Sequence, residues 1–255
     1  MQPREGSVER WAYDFVTSTD LSMKLHPPAP PREWTGEGVV LTAPGRPVEL
    51  VQRTMKRKTP KDLKQAAKRA EVLHTFLHHE LQAAELMAWA ILAFPGTPTS
   101  FRRGLLGICR DELRHLGLYA AHLEVLGHPY GSFEVNDWFW SRVPCERPEA
   151  FVATLAIGFE GGNLDHGARF TQAFADAGDA RAAEIQALIT EEEIAHAAFG
   201  LHWFREFTGG VDFDRWRSML PQPLSPMLTK GHALNVEARR RAGFSAEFLE
   251  ALEKW

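Results

Sequence analysis

A chain of 255 residues, 44% of them hydrophobic, has the material for one large core or a core with long tails. Its net charge of −4 argues against bulk nucleic-acid binding, and no apolar run of about 18 residues is present to span a membrane. The opening MQPREGSVERW lacks the apolar centre of a signal peptide, and Cys109 and Cys145 alone do not make a disulfide framework, so a cytoplasmic location is expected.

Residues 1–58 read as an N-terminal arm. The run His26-Pro27-Pro28-Ala29-Pro30-Pro31, with Pro44 and Pro47 after it, cannot be helix interior. An extended arm is expected, with a short helix near Val8–Phe15 capped by Ser7. Trp11, Phe15, Trp34 and the Val39-Val40-Leu41 run suit packing against a domain. Residues 53–69 hold eight Lys or Arg against Asp62 alone, and few aromatics interleave with them. This fits a solvated helix start better than an anion-reading patch.

Residues 59–210 predict a four-helix bundle of two antiparallel hairpins with a long crossover. The first helix should start at Thr59-Pro60 and run to about Phe94. Leu73, Leu77, Ala84, Met87 and Ile91 mark its buried stripe, and Glu80 lies within it. Pro95-Gly96-Thr97-Pro98 breaks the chain, and a second helix from about Thr99 to Leu126 turns Leu105, Ile108, Glu112, His115 and Tyr119 inward. A connector over 128–147 follows, in which Asp137-Trp138-Phe139-Trp140 suggests a short helix. A third helix is expected from Pro148 to Ala177-Gly178 and a fourth from Asp179 to Thr208. Residues 211–255 read as short C-terminal helices around Pro221-Gln222-Pro223-Leu224-Ser225-Pro226.

Two stretches carry the chemistry, Asp111-Glu112-Leu113-Arg114-His115 and Glu192-Glu193-Ile194-Ala195-His196. Residues three apart on a helix share a face, so each offers a carboxylate and an imidazole to one point. Glu-x-x-His alone is a weak signal, and Glu71-Val72-Leu73-His74 is a third match, read here as the chance one. Position makes the other two informative. Gly96 is 16 residues from both Glu80 and Glu112; Gly178 is 18 from Glu160 and 15 from Glu193. In an antiparallel hairpin, residues equally far from the turn lie level, about 24 Å along at about 1.5 Å per residue. Each hairpin therefore sets one Glu opposite one Glu-x-x-His. Paired hairpins would gather Glu80, Glu112, His115, Glu160, Glu193 and His196 around two hard-to-borderline cations. Four buried carboxylates without counter-charge would be costly, which is why a metal-free reading is hard to sustain.

Asp111 and Glu192 each precede a ligand Glu. They are expected to accept the second N–H of the facing imidazole, Asp111 from His196 and Glu192 from His115. Asn163 takes the slot after Glu160 where His stands in the other motifs, as a further outer partner. Tyr119 is a candidate proton or electron donor, though a core tyrosine is the commoner case. Glu85 lies about 140° round the helix from Glu80 and should not be a ligand. His78, His79 and His166 are expected at the surface or behind the ligands, and Cys109 in plain packing.

At these residues the sequence resembles the ferritin-like di-iron superfamily, and more closely its bacterial branch known as domain of unknown function 455. The likeness covers roughly residues 40–250. It includes Ala43-Pro44-Gly45-Arg46-Pro47, His79-Glu80-Leu81-Gln82-Ala83-Ala84-Glu85-Leu86, Arg110 to His115, Glu191 to His196, and Asn235-Val236-Glu237-Ala238-Arg239-Arg240-Arg241-Ala242-Gly243-Phe244-Ser245. The resemblance implies a bundle binding two irons through the six residues above, with manganese or a mixed Fe/Mn pair also suited. Glu160-Gly161-Gly162-Asn163 departs from it in its two glycines, which should loosen the helix there.

The expected function is a non-haem di-iron oxidoreductase that activates dioxygen or peroxide on a small or carrier-bound substrate. It would need an electron donor, and a homodimer is compatible with it. The alternatives are an iron-handling ferroxidase or storage protein, disfavoured by the long segments flanking the bundle, and a metal-binding scaffold without catalysis.

Overall fold

The computed structural model describes residues 2–54 and 62–255, and those residues are helical, with no strand and only the isolated bridges Ser7–Glu33 and Gln52–Val135. They fall into two compact units, residues 1–144 and 145–255, divided within the expected connector. Each unit is built on one helical hairpin. Among the described residues no helix is long and apolar enough to cross a membrane.

In the first unit, α1 (Val8–Thr17) starts where the Ser7 hydroxyl accepts from the Arg10 amide, as expected. Its Val8, Ala12, Phe15 and Val16 are fully buried, and α1 packs on α3. The arm is less extended than expected. Asp20 accepts from the Ser22 amide and caps a second short helix, α2 (Leu21–Leu25). Close approach continues at Gly45, whose amide donates to the Val16 carbonyl at 2.8 Å; a Cβ there would overlap the Thr17 carbonyl.

The long helix α3 spans Ala66–Ala93. The expected start at Thr59-Pro60 lies outside the described residues, and residues 62–65 are not helical. Leu73, Leu77, Ala84, Met87 and Ile91 are all fully buried. The burial is not one stripe, however. Between Ala70 and Leu92 every residue except Thr75, Phe76 and His79 is buried, which suits an alanine-rich helix wrapped by α1, α4 and the connector. After the turn at 94–98, α4 (Thr99–Val125) packs back along α3. The connector corrects another expectation. Residues 138–142 form turns rather than a helix, with the Ser141 amide on Asp137 O and the Val143 amide on Phe139 O. Their backbone is claimed by α3, where Gln82 Oε1 accepts from the Phe139 amide at 3.2 Å and Gln82 Nε2 donates to Asn136 O at 3.1 Å.

In the second unit, one continuous helical run comprises α5 (Pro148–Val152), a π-helical segment (Ala153–Glu160) and α6 (Gly161–Asp176). A plain α-helix was expected here; the π segment ends on Glu160. Gly178, at φ +79°, makes the turn, and Asp179 caps α7 (Ala180–Thr208) through the Ala182 amide. Gly209, again left-handed, ends it. The tail forms α8 (Phe213–Ser218), a 3-10 turn (Pro226–Leu228), α9 (Val236–Ala242) and α10 (Ala246–Glu253).

Candidate metal-binding triads

Each hairpin brings its lone Glu to its own Glu-x-x-His. In the first unit, Glu80 on α3 meets Glu112 and His115 on α4, and one ligand atom from each lies within 4.8 Å of the others. The His115 Nδ1 is 3.4 Å from Glu112 Oε2 and 3.8 Å from Glu80 Oε2. In the second unit, Glu160, at the end of the π segment, meets Glu193 and His196 on α7 within the same 4.8 Å limit. His196 Nδ1 lies 3.1 Å from Glu193 Oε2. All six side chains are buried.

In the first triad the carboxylates and the imidazole act strongly on one another. Burial opposes charge on His115, yet Glu112 and Glu80 override it and lift its pKa to about 11. Burial raises the Glu80 pKa well above the carboxylate range; His115 opposes that rise and Glu112 adds to it. Positive charge is thus favoured between the carboxylates. Two carboxylates and an imidazole per triad form a hard-to-borderline donor set, which fits Fe(II), Mn(II) or a similar dication.

The outer residues divide. Asn163 Nδ2 donates to Glu160 Oε2 at 2.9 Å, so it holds a ligand candidate directly. Asp111 is half-exposed, with Arg114 Nη2 at 3.6 Å, and Glu192 is half-buried. Tyr119 is buried one turn beyond His115, its ring 6.1 Å from that of Phe76. Cys109 is buried and free, with burial pushing its thiol pKa up. His79 and His166 are half-buried.

His78 is not at the surface. It is buried, with Nδ1 2.5 Å from the Tyr130 hydroxyl and Nε2 3.0 Å from Asp137 Oδ1. The third match is also buried, and His74 Nε2 accepts from the Gly131 amide at 3.0 Å. Glu85 is no ligand of the triad, as its angle required, but it anchors a charge cluster that the sequence reading missed. Lys24 Nζ approaches its carboxylate at 2.6 Å, Arg46 grips both oxygens at 2.7 and 2.8 Å, and Trp140 Nε1 donates at 2.9 Å. Arg46 also reaches Asp137 at 2.8 Å. Although burial alone would raise the Glu85 pKa, Arg46 and Lys24 bring it below the usual range. Lys24 and Arg46 come from the arm and Trp140 from the connector, so local periodicity gave no signal of them.

The glycines after Glu160 admit close neighbours. A Cβ on Gly161 would meet Arg239 and Phe244 at 3.3 Å, and one on Gly162 the Thr229 carbonyl at 3.1 Å. They make room for the tail, which sequence spacing alone did not reveal.

The chain belongs to the family described as protein of unknown function (DUF455), whose profile matches residues 8–250. It is also similar to a Haemophilus influenzae (strain ATCC 51907 / DSM 11121 / KW20 / Rd) protein described as uncharacterized, 27% identical over 192 residues. That stretch is 71% of this chain and 66% of the relative, slightly under two thirds of the relative's length. No solved structure matches.

Proposed function

We propose that this family member is a ferritin-like dinuclear non-haem metal protein acting as an oxidoreductase on dioxygen or peroxide. One observation carries the reading: two buried triads of identical composition, each with a lone Glu on one helix of a hairpin and Glu-x-x-His on the other. The spacing about Gly96 and Gly178, which sets a lone Glu nearly level with a Glu-x-x-His in each hairpin, supports a pair of like metal sites. Iron held there would supply one-electron redox chemistry for reducing dioxygen or peroxide beside a small or carrier-bound substrate.

The protein's own part is positioning and proton control. Glu80, Glu112 and His115 hold one cation; Glu160, Glu193 and His196 hold the other. Asn163 fixes the Glu160 carboxylate through its 2.9 Å bond. In this reading Asp111 and Glu192 are the carboxylates offered to the outer N–H of an imidazole, which orients it. Tyr119, one turn beyond His115, is the proton donor in this reading. The buried surroundings keep bulk water from the carboxylates and strengthen their hold on a dication.

Metal analysis and optical spectra of the reduced protein exposed to oxygen test the proposal. About two iron or manganese ions per chain, with turnover of the oxidised state by a reductant, are expected. Glu112→Ala or His196→Ala should abolish dinuclear binding. Full metal content in both variants would refute the ligand assignment. A cage-sized assembly that accumulates oxidised iron would move the protein to iron storage.

A further inference from the structure

The tail, residues 211–255, contains none of the six ligand candidates, yet it grips the helix that carries Glu160 at three places. At the start of the π segment, the buried Trp216 indole donates to the Ala153 carbonyl at 2.9 Å. Beside Glu160, Thr229 sits in a notch made by Gly158 and Gly162. A Cβ on Gly158 would meet the Thr229 methyl at 3.2 Å, and one on Gly162 its carbonyl at 3.1 Å. Beyond Glu160, the Asp165 carboxylate accepts four bonds from the tail: from the Gly231 and Asn235 amides at 2.9 and 2.7 Å, and from Arg239 Nε and Nη2 at 3.0 and 2.7 Å. The Asp165 and Arg239 side chains are 0% and 1% exposed. Arg239 is also the neighbour that a Cβ on Gly161 would crowd.

A π turn is rarer and less favourable than an α turn, and it persists where surrounding contacts select it. Here it spans eight residues and ends on Glu160 itself. Annealing one π turn to α would shift the register by one residue, about 100° of rotation between the two flanks. The Glu160 carboxylate would then no longer share a point with Glu193 and His196. An arginine that holds a carboxylate with two parallel bonds fixes orientation as well as distance.

We infer that the tail is the positioning device for Glu160, with Arg239 as its positioning residue. It acts through Asp165 to fix the rotation of α6, while Thr229 in the glycine notch and Trp216 on Ala153 hold the π register. The inference rests on the dinuclear reading above. It assigns the glycines after Glu160 a definite use: they let the clamp reach the helix.

Cobalt(II) titration of the full metal-free chain tests it, since visible absorption reports the coordination of each equivalent. Wild type should take two equivalents. Arg239→Met and Gly162→Ala should keep the first and bind the second at least tenfold more weakly, with an altered spectrum for that equivalent alone. Leu249→Ala, a buried α10 change outside the three anchors, should lower the unfolding midpoint yet leave both equivalents and their spectra intact. If Arg239→Met fails to fold, Gly162→Ala decides, because it leaves the ion pair in place. Wild-type affinity and spectra in Gly162→Ala would overturn the clamp. So would a Leu249→Ala variant that loses the second ion at equal loss of stability. Uptake of fewer than two equivalents by wild type would instead remove the dinuclear reading, and the clamp with it.

Discussion

Glu71-x-x-His74 and Glu112-x-x-His115 carry the same letters, and what each imidazole faces separates them. His115 Nδ1 lies between two carboxylates, which raise its pKa to about 11. His74 packs against Tyr130 and Phe133, with ring centroids at 5.1 and 5.4 Å, and burial lowers its pKa to about 4. Its Nε2 accepts from a backbone amide, so the neutral ring carries its proton on Nδ1. A neutral buried histidine makes stability depend on pH. Above about pH 6.5 the ring is neutral in both folded and unfolded chains, and its contribution is complete. As pH falls from there toward about 4, the unfolded chain takes the proton first and stability drops. Between about pH 7.5 and about pH 5 the loss should be about 2 kcal/mol. Urea unfolding of wild type and His74→Ala at the two pH values measures it, since His78 and His166 are also held below the usual range by burial and remain in the variant, whose loss should be smaller by about that amount. The same variant strands the Gly131 amide and should cost about 1–3 kcal/mol at neutral pH. Its metal content should equal wild type; loss of an ion would make the third motif a ligand after all.

At the scale of elements, α3 does two jobs on different faces. One face presents Glu80 to α4. Another sets His74, His78, Gln82 and Glu85 in a polar stripe that ties down the connector and the arm. The Glu85 cluster is closed to water, with Lys24 and Glu85 both 0% exposed. Removing one partner of such a pair leaves charges buried and uncompensated, so Glu85→Ala should cost about 3–5 kcal/mol. Chemical denaturation measures that loss. Metal content should not follow, because the stripe does not face the triad. The hairpin turns and the helix ends beside them were legible, since Gly96, Gly178, Gly209 and the apolar periodicity act locally, whereas the start of α3 at Ala66 falls later than the Thr59-Pro60 signal. The Glu85 cluster was not, because Lys24, Arg46 and Trp140 lie 61, 39 and 55 residues away in sequence. The π segment was hidden for a related reason. Ala153-Thr154-Leu155-Ala156-Ile157-Gly158-Phe159 reads as ordinary apolar helix, and the neighbours pressed on it include Thr229 and Gly200. The connector turns were missed because Gln82 takes up the backbone groups that a helix would have paired internally.

For the whole molecule, the question is whether two triads in two units make two separate metal sites or one centre. Four carboxylates against two neutral imidazoles leave a charge that two dications would balance, so binding should stabilise the chain as a whole. Each ion present at a hundredfold over its dissociation constant adds about 2.7 kcal/mol, and a chelator should lower the unfolding midpoint accordingly. A midpoint indifferent to chelator would sink metal binding of any kind. Loading with manganese(II) separates the remaining cases. Ions about 3.5–4 Å apart, the usual separation in two-metal sites, couple their electron spins, while distant ions give the isolated six-line spectrum. A coupled spectrum at two equivalents is expected, and Glu80→Ala should reduce it to an isolated ion bound more weakly than either was before. Two independent six-line signals, with Glu80→Ala removing only one of them, would establish two mononuclear sites and confine the chemistry to each hairpin alone.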